Sequence, residues 1–269
     1  MALQLAGLAP WACEFPAHVD CDDHGSCGGG ICSCSDGYSG ARCSCDAACR
    51  KYQIAQVQSL LAFKASGNGQ GLDGWRDGGD PCGDGGQAWF FLICRDGVVT
   101  GMHVHLKELT GDIGRLERLT QLTELSIGGT KVTGDVAQLT GLAKLTVLHV
   151  SHTGVSGDVG KLRALTQLTQ LYTDYTGVTG DVGQLAALTQ LTKLGLGSTG
   201  IDGDVSTLAA LTQLTELGMR NTGVAGDVST LASLTKLTIL GLQSTGVTGC
   251  PLQLANGKSC HCPGRLTCN

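Results

Sequence analysis

The chain lacks most of what a globular enzyme or a nucleic-acid binder draws on. Aromatic residues are only 4% of its 269 residues and charged residues only 15%, with a net charge of −5. Phosphate backbones are bound by clustered Lys and Arg. That shortage argues against a nucleic-acid partner. No apolar run approaches the roughly 18–20 residues of a membrane span, so no transmembrane segment is expected. Met1 to Ala12 carries no basic flank and makes a poor signal peptide as written. Asn68, Asn221 and Asn256 all fail the N-glycosylation pattern. There is no Gly-x-Ser-x-Gly elbow, no His-Glu-x-x-His and no phosphate-cradling loop. The chain is therefore read as non-catalytic and free of cofactors.

Cysteine is missing from the whole middle of the chain, between Cys94 and Cys250. The 14 cysteines gather at the two ends: Cys13, Cys21, Cys27, Cys32, Cys34, Cys43, Cys45, Cys49, Cys82 and Cys94, then Cys250, Cys260, Cys262 and Cys268. None forms the Cys-x-x-Cys pair typical of zinc sites, so no metal is assigned to them. An even count clustered at the termini reads as disulfide-stapled ends and an extracytoplasmic, oxidising location.

What is abundant is periodic. Glycine supplies 42 residues, about twice average usage. Gly111, Gly134, Gly157, Gly180, Gly203, Gly226 and Gly249 recur every 23 residues, the first six each followed by Asp. Leucines recur at fixed offsets between them, as in Leu188, Leu191, Leu194 and Leu196. A period of 20–29 residues with leucines in register is the signature of leucine-rich repeats. Pairs such as Leu125/Ile127, Leu148/Val150, Leu194/Leu196 and Leu217/Met219 alternate with other residues, the period of a strand. Seven parallel strands are expected to line one face. Further rows, Val132 to Val247 and Val136 to Val228, read as inward-facing core.

These motifs resemble plant-type leucine-rich-repeat proteins, whose Leu-Thr-Gly-x-Ile-Pro step is matched by Val132-Thr133-Gly134-Asp135-Val136. The resemblance extends upstream. Leu60-Leu61-Ala62-Phe63-Lys64, Trp75, Asp80-Pro81-Cys82, Trp89 and Cys94 look like that family's N-terminal cap, which implies a helix and a disulfide over the first strand. Two departures stand out. The family's Pro is absent, and its strand-exit Asn is replaced by Thr130, Thr153, Thr176, Thr199, Thr222 and Thr245. A hydroxyl is expected to satisfy fewer backbone groups than an amide. Cys13, Cys21, Cys27, Cys32, Cys34 and Cys43 resemble an EGF-like module, which implies pairing of first with third, second with fourth and fifth with sixth. Its acidic calcium-binding stretch is missing, so no calcium is expected there. The pairing of Cys45 and Cys49 is open. Cys250–Cys260 with Cys262–Cys268 is one of three possible connectivities at the other end.

The expected fold is an α/β leucine-rich-repeat solenoid, with a parallel sheet on its concave face and a small disulfide-rich EGF-like module. The boundaries are a tail over 1–12, the EGF-like module over 13–43, a cysteine-containing cap with a helix over 44–99, repeats over 100–249 and a disulfide-bearing C-terminal cap over 250–269.

Solenoids bind on their concave faces. The residues alternating with the core leucines form two columns there. Their large side chains are His103, His105, His149, Tyr172 and Asp174, with Tyr175 flanking and glycines filling the later repeats. Aromatics without a core role are typical interface anchors, so a protein partner is expected on these six residues, the plain alternative being a solvated strand face. A metal on His103, His105 and His149 is disfavoured because Ser126 intervenes. His149, Asp174 and Ser151 can be drawn as a hydrolase triad, but without a pocket.

Asp112, Asp135, Asp158, Asp181, Asp204 and Asp227 form a column read first as turn caps. The functional alternative is a strip for divalent cations or a basic partner. Thr120/Thr123, Thr166/Thr169, Thr189/Thr192, Thr212/Thr215 and Thr235/Thr238 recur with the period. Such arrays resemble those of ice-binding proteins, though β-propensity alone accounts for them. The leading expectation is thus a protein-recognition module or a subunit of a larger extracytoplasmic assembly. The alternatives are ice binding and an unrecognised hydrolase.

Overall fold

The computed structural model describes residues 54–77, 79–83, 88–95, 97–249 and 255–257 in full. Elsewhere it describes the backbone of Val19–Cys21, Gly25–Gly28, Ile31–Cys34, the start of helix Ala47–Ala65, Leu252–Gln253, Ser259–His261 and Thr267–Cys268. The first three of these segments pair as one antiparallel sheet and the last three as another. The expected pairings of Cys13, Cys21, Cys27, Cys32, Cys34, Cys43, Cys45, Cys49, Cys250, Cys260, Cys262 and Cys268 lie outside the described residues.

The repeats form an α/β solenoid. Each 23-residue turn runs strand, corner, second strand and a short 3-10 helix. The first strands, Glu124–Ser126, Val147–His149, Gln170–Tyr172, Lys193–Gly195, Glu216–Gly218 and Ile239–Gly241, stack parallel onto Val98–His103. These are the seven parallel strands expected. An eighth, Leu92–Arg95, adds to the edge in antiparallel sense. It brings Cys94 to Cys82, and the two form a disulfide.

The second strands build a further sheet that the rows of valines did not announce. It holds seven parallel strands, from Thr110–Asp112 through Lys131–Asp135, Gly154–Asp158, Gly177–Asp181, Gly200–Asp204 and Gly223–Asp227 to Gly246–Thr248. The sheets differ in register. In the first, equivalent residues sit side by side, Leu125 beside Leu148. In the second each strand is stepped, so that Gly154 lies beside Thr133 and Ser156 beside Asp135. The step explains the glycines: a Cβ on Gly154 would stand 2.8 Å from Cγ2 of Thr133, and one on Gly200 2.8 Å from Cγ2 of Thr179.

Between the sheets and the helices runs one continuous core. Leu125, Leu148, Leu171 and Leu217 are fully buried, as are Val132, Val155, Val136 and Val159 in the second and third rows. Burial of each such side chain stabilises the fold by about 1.5–3 kcal/mol. No single turn could enclose these residues, so the turns are stable only as a stack. At the N-terminal end helix Ala47–Ala65 covers the last open turn through Leu60 and Phe63, and Trp75 and Trp89 stack at 5.5 Å. Gln56 Oε1 accepts the N–H of Val99 at 2.8 Å, tying that helix to the first strand.

One ladder of threonine hydroxyls ties turn to turn, and a second row of threonines closes the corner within each turn. Thr123, Thr146, Thr169, Thr192, Thr215 and Thr238 each donate to the carbonyl of the threonine one repeat earlier, at 2.9–3.0 Å. The Thr that replaces the family's Asn does more than its single hydroxyl suggested. Thr130 Oγ1 donates to the Ile127 carbonyl at 2.7 Å and accepts the Val132 N–H at 3.4 Å. Thr153 does the same with Val150 and Val155. One hydroxyl, acting as donor and acceptor, serves two backbone groups.

Candidate functional site

The outer face of the first sheet carries the rings. In the parallel register His149 sits beside Tyr172, with ring centroids 5.3 Å apart and planes tilted by 57°. Glycines make room for both. A Cβ on Gly128 would stand 2.8 Å from Nε2 of His149, and one on Gly195 would stand 2.8 Å from Cδ1 of Tyr172. Each ring therefore leans over a glycine of a neighbouring turn.

Asp174 completes this patch. Its Oδ1 accepts the Gly197 N–H at 2.8 Å, and Ser151 Oγ donates to Oδ2 at 3.4 Å. Oδ2 also lies 2.4 Å from the position of a Cβ on Gly195, so the carboxylate and the Tyr172 ring converge over that glycine. Beyond it Gly218 and Gly241 have nothing closer than 4.0 Å and 3.7 Å to such a Cβ, leaving a bare track of backbone.

Tyr175 lies at the corner after the strand rather than on the sheet face. There it stacks on His152, centroids 4.3 Å apart and planes within 16°. Both hold a left-handed backbone, φ 55° and 57°. That conformation is usual for Gly or Asn and costly for bulky side chains. Tyr175 remains 46% exposed. His152 was not anticipated, although it aligns with Gly129 and Tyr175 in the repeat.

A third outward column was also missed: Gly101, Glu124, Val147, Gln170, Lys193, Glu216 and Ile239. Period-two reasoning carried one step upstream would have found it. It supplies two polar contacts to carboxylates, one of them an ion pair to a lysine. His103 Nε2 lies 2.9 Å from Glu124, and Lys193 Nζ lies 2.9 Å from Glu216. The hydrogen bond to Glu216 raises the ammonium pKa of Lys193. Burial lowers the pKa of His149 below 6.5; the field of His105 adds to that and Asp174 opposes it. Burial also raises the Tyr172 phenol above its usual value.

The other candidate sets separate. His103 and His149 are two strands apart, and among the described residues no three His, Cys, Asp or Glu side chains are grouped to hold a metal. Ser151 bonds to Asp174, and the His149 ring faces Ser126 at 3.5 Å, the outer limit of a hydrogen bond. These contacts do not order nucleophile, base and orienting carboxylate as a triad requires.

The six aspartates are caps. Each Oδ1 accepts the N–H two residues on at 2.7–2.9 Å, as with Asp112 and Gly114 or Asp181 and Gly183. The two threonine rows also part. The Thr123 row is spent on its ladder, whereas Thr166, Thr189, Thr212 and Thr235 are exposed, with Ala143 interrupting their row. The outer face of the second sheet exposes another small-residue array, Thr133, Ser156, Thr179 and Thr248.

No protein-family model matches the chain, and no characterised protein matches it in sequence. Solved structures do match it in fold. PEPR1–AtPEP1 is 20% identical with a TM-score of 0.63, over 74% of this chain and 31% of that one. A pollen receptor kinase 3 structure is 24% identical with a TM-score of 0.62, over 77% of this chain and 100% of that one. A plant ice-binding protein is 19% identical with a TM-score of 0.51, over 72% and 80%. The chain thus spans about a third of PEPR1–AtPEP1 and all of the pollen receptor kinase structure. At these identities the likeness is one of fold: a plant-type leucine-rich-repeat solenoid.

Proposed function

We propose that this solenoid is a non-catalytic, extracytoplasmic recognition module that docks a protein partner on the outer face of its first sheet. It would act as a free binder or as a peripheral subunit of a larger assembly. The observation that carries the reading is the pair of ring contacts, His149–Tyr172 seated over Gly128 and Gly195 beside Asp174, and His152–Tyr175 at the adjoining corner. These rings fill no core, and His152 and Tyr175 are held at a conformational cost, which favours a binding role. The receptor-kinase structure among the neighbours supports the same reading by analogy of fold. His103 and His105 extend the surface toward the N-terminal turns.

In this reading residues 44–99 form a cap and 13–43 an EGF-like module, with a tail over 1–12, repeats over 100–249 and a C-terminal cap over 250–269. The Cys82–Cys94 disulfide favours an oxidising compartment. The test is capture from the native source by the wild type and by a Tyr172→Ala/His149→Ala variant. Loss of a captured partner in the variant alone supports docking at this face. Equal capture by both moves recognition elsewhere.

A second reading has one observation in its favour. The stepped second sheet displays exposed Thr133, Ser156, Thr179 and Thr248 among glycines, on a fold shared with a plant ice-binding protein. Thermal hysteresis of the purified chain, lost on Thr133→Lys/Thr179→Lys, would support ice binding through that sheet.

A further inference from the structure

We infer that the group received between Tyr172 and Asp174 is an arginine side chain, presented by a protein segment that runs along the glycine track Gly195, Gly218 and Gly241. The inference rests on the docking reading and gives that partner its chemistry.

Three observations lead to it. The Asp174 carboxylate and the Tyr172 ring converge over Gly195. Asp174 accepts from Gly197 and Ser151, and a carboxylate has about four acceptor positions. Room remains for a charge-assisted donor.

The second observation is the charge of the surface. The outward positions of the first four turns hold two carboxylates, Glu124 and Asp174, and no Lys or Arg. Their basic groups are the imidazoles His103, His105 and His149, with His152 at the adjoining corner and Lys107 beside Glu108 at the corner of the first turn. At neutral pH this face complements a cation. On the C-terminal side Lys193 is neutralised by Glu216. Arg220 reaches across Gly197, its Cγ 3.1 Å from the position of a Cβ there, but forms no ion pair with Asp174.

The third observation is the flatness of what is offered. An aromatic ring beside a carboxylate suits a planar guanidinium, which stacks on a ring face and forks to a carboxylate at once, better than a point-like ammonium. The bare backbone at Gly218 and Gly241 lets an extended segment lie close enough to deliver it.

Acid acts against the same contact. Imidazoles as a class take up protons between neutral and mildly acid pH. Protons taken up by imidazoles on this face add positive charge beside Asp174. Capture of a cation by this face then weakens.

The probe is a fluorescent arginine hexapeptide titrated onto the full chain, beside lysine and glutamate counterparts. At about pH 7.5 the arginine peptide should bind best, and at about pH 5 its affinity should fall. Asp174→Asn should weaken it about tenfold and Tyr172→Leu several-fold. Asp202→Asn, an equal charge change on the opposite sheet, should leave it unaltered. Equal loss in Asp202→Asn, equal binding of the lysine peptide, or preference for the glutamate peptide each overturns the inference. If native capture depends on Tyr172 and His149 but ignores Asp174→Asn, the arginine falls while docking at this face stands.

Discussion

The imidazole of His152 lies nearly parallel to the ring of Tyr175, 4.3 Å away and one turn below it, and both residues hold left-handed backbone. In the same corner of the other turns stand Gly129, Ser198, Asn221 and Ser244. Asn221 and Gly129 suit the conformation; the two rings do not. His152→Asn with Tyr175→Asn should therefore raise stability by a few tenths to about 1 kcal/mol in chemical denaturation, while abolishing partner capture. A loss of stability would mean that the stack itself holds the corner together.

Thr173 sits directly between Tyr172 and Asp174, but it points inward. Its row is otherwise apolar, Val104, Ile127, Val150, Leu196, Met219 and Leu242, and its fully buried hydroxyl has no hydrogen-bond partner. Thr173→Val keeps the shape and removes the stranded group. Stabilisation of about 1–2 kcal/mol is expected. A neutral or destabilising result in urea melts would show that the hydroxyl finds a partner, water included.

Gly195 bears the convergence of Tyr172 and Asp174. Its backbone is not left-handed, and the atoms an added methyl would meet belong to the Asp174 carboxylate and the Tyr172 ring rather than to backbone. Gly195→Ala should change stability by less than about 1 kcal/mol yet displace both groups and abolish capture. Unchanged capture would separate this glycine from the site.

The leucine rows were legible because burial of one strand face imposes a period of two on every 23-residue turn. The same logic reached His103, His149, Tyr172 and Asp174, since a residue flanked by buried Leu125- or Ile127-type neighbours must face outward. It did not reach His152, because nothing in a residue's identity announces left-handed backbone at a histidine. Nor could it give the step of the second sheet. Repeat spacing fixes how far along the chain Thr133 and Ser156 are, not whether they lie side by side. The ring seats over Gly128 and Gly195 depend on the lateral register of the first sheet and became visible only with it.

His149 offers a pH measurement. Burial holds its folded pKa below 6.5, so the unfolded chain binds the proton more readily. Its contribution is intact above 6.5 and is lost as pH falls through that value toward the lower folded one. Proton titration of the His149 ring by NMR should give a midpoint below 6.5, and His149→Gln should lessen the loss of stability between about pH 7 and pH 5. A midpoint at or above 6.5 would show that Asp174 outweighs burial.

The cap carboxylate of Asp204 acts in the opposite range. The backbone N–H and hydroxyl of Ser206 hold Asp204 below its usual 3.8. A depressed carboxylate stabilises the fold above its unfolded value and ceases to as pH falls through the folded one. Acid melts should therefore show stability declining below about pH 4, less steeply in Asp204→Asn. Removing a cap outright, Asp158→Ala, should cost about 1 kcal/mol at neutral pH. No change in either variant would leave the caps without energetic weight.

The hydroxyl ladder from Thr123 to Thr238 points one way only, every rung running from a later turn to the one before it. Pulled from its two ends, such a spine behaves like a zip rather than a rope. On its outer side the last turn is held by hydrogen bonds from Ala255 N–H and Asn256 Nδ2 to the Leu237 and Thr238 carbonyls; once these part, it peels first and exposes the next. Each release frees 23 residues, or about 80 Å of extended chain. A single molecule held between two beads should lengthen in equal steps of that size, its tension resetting after each one.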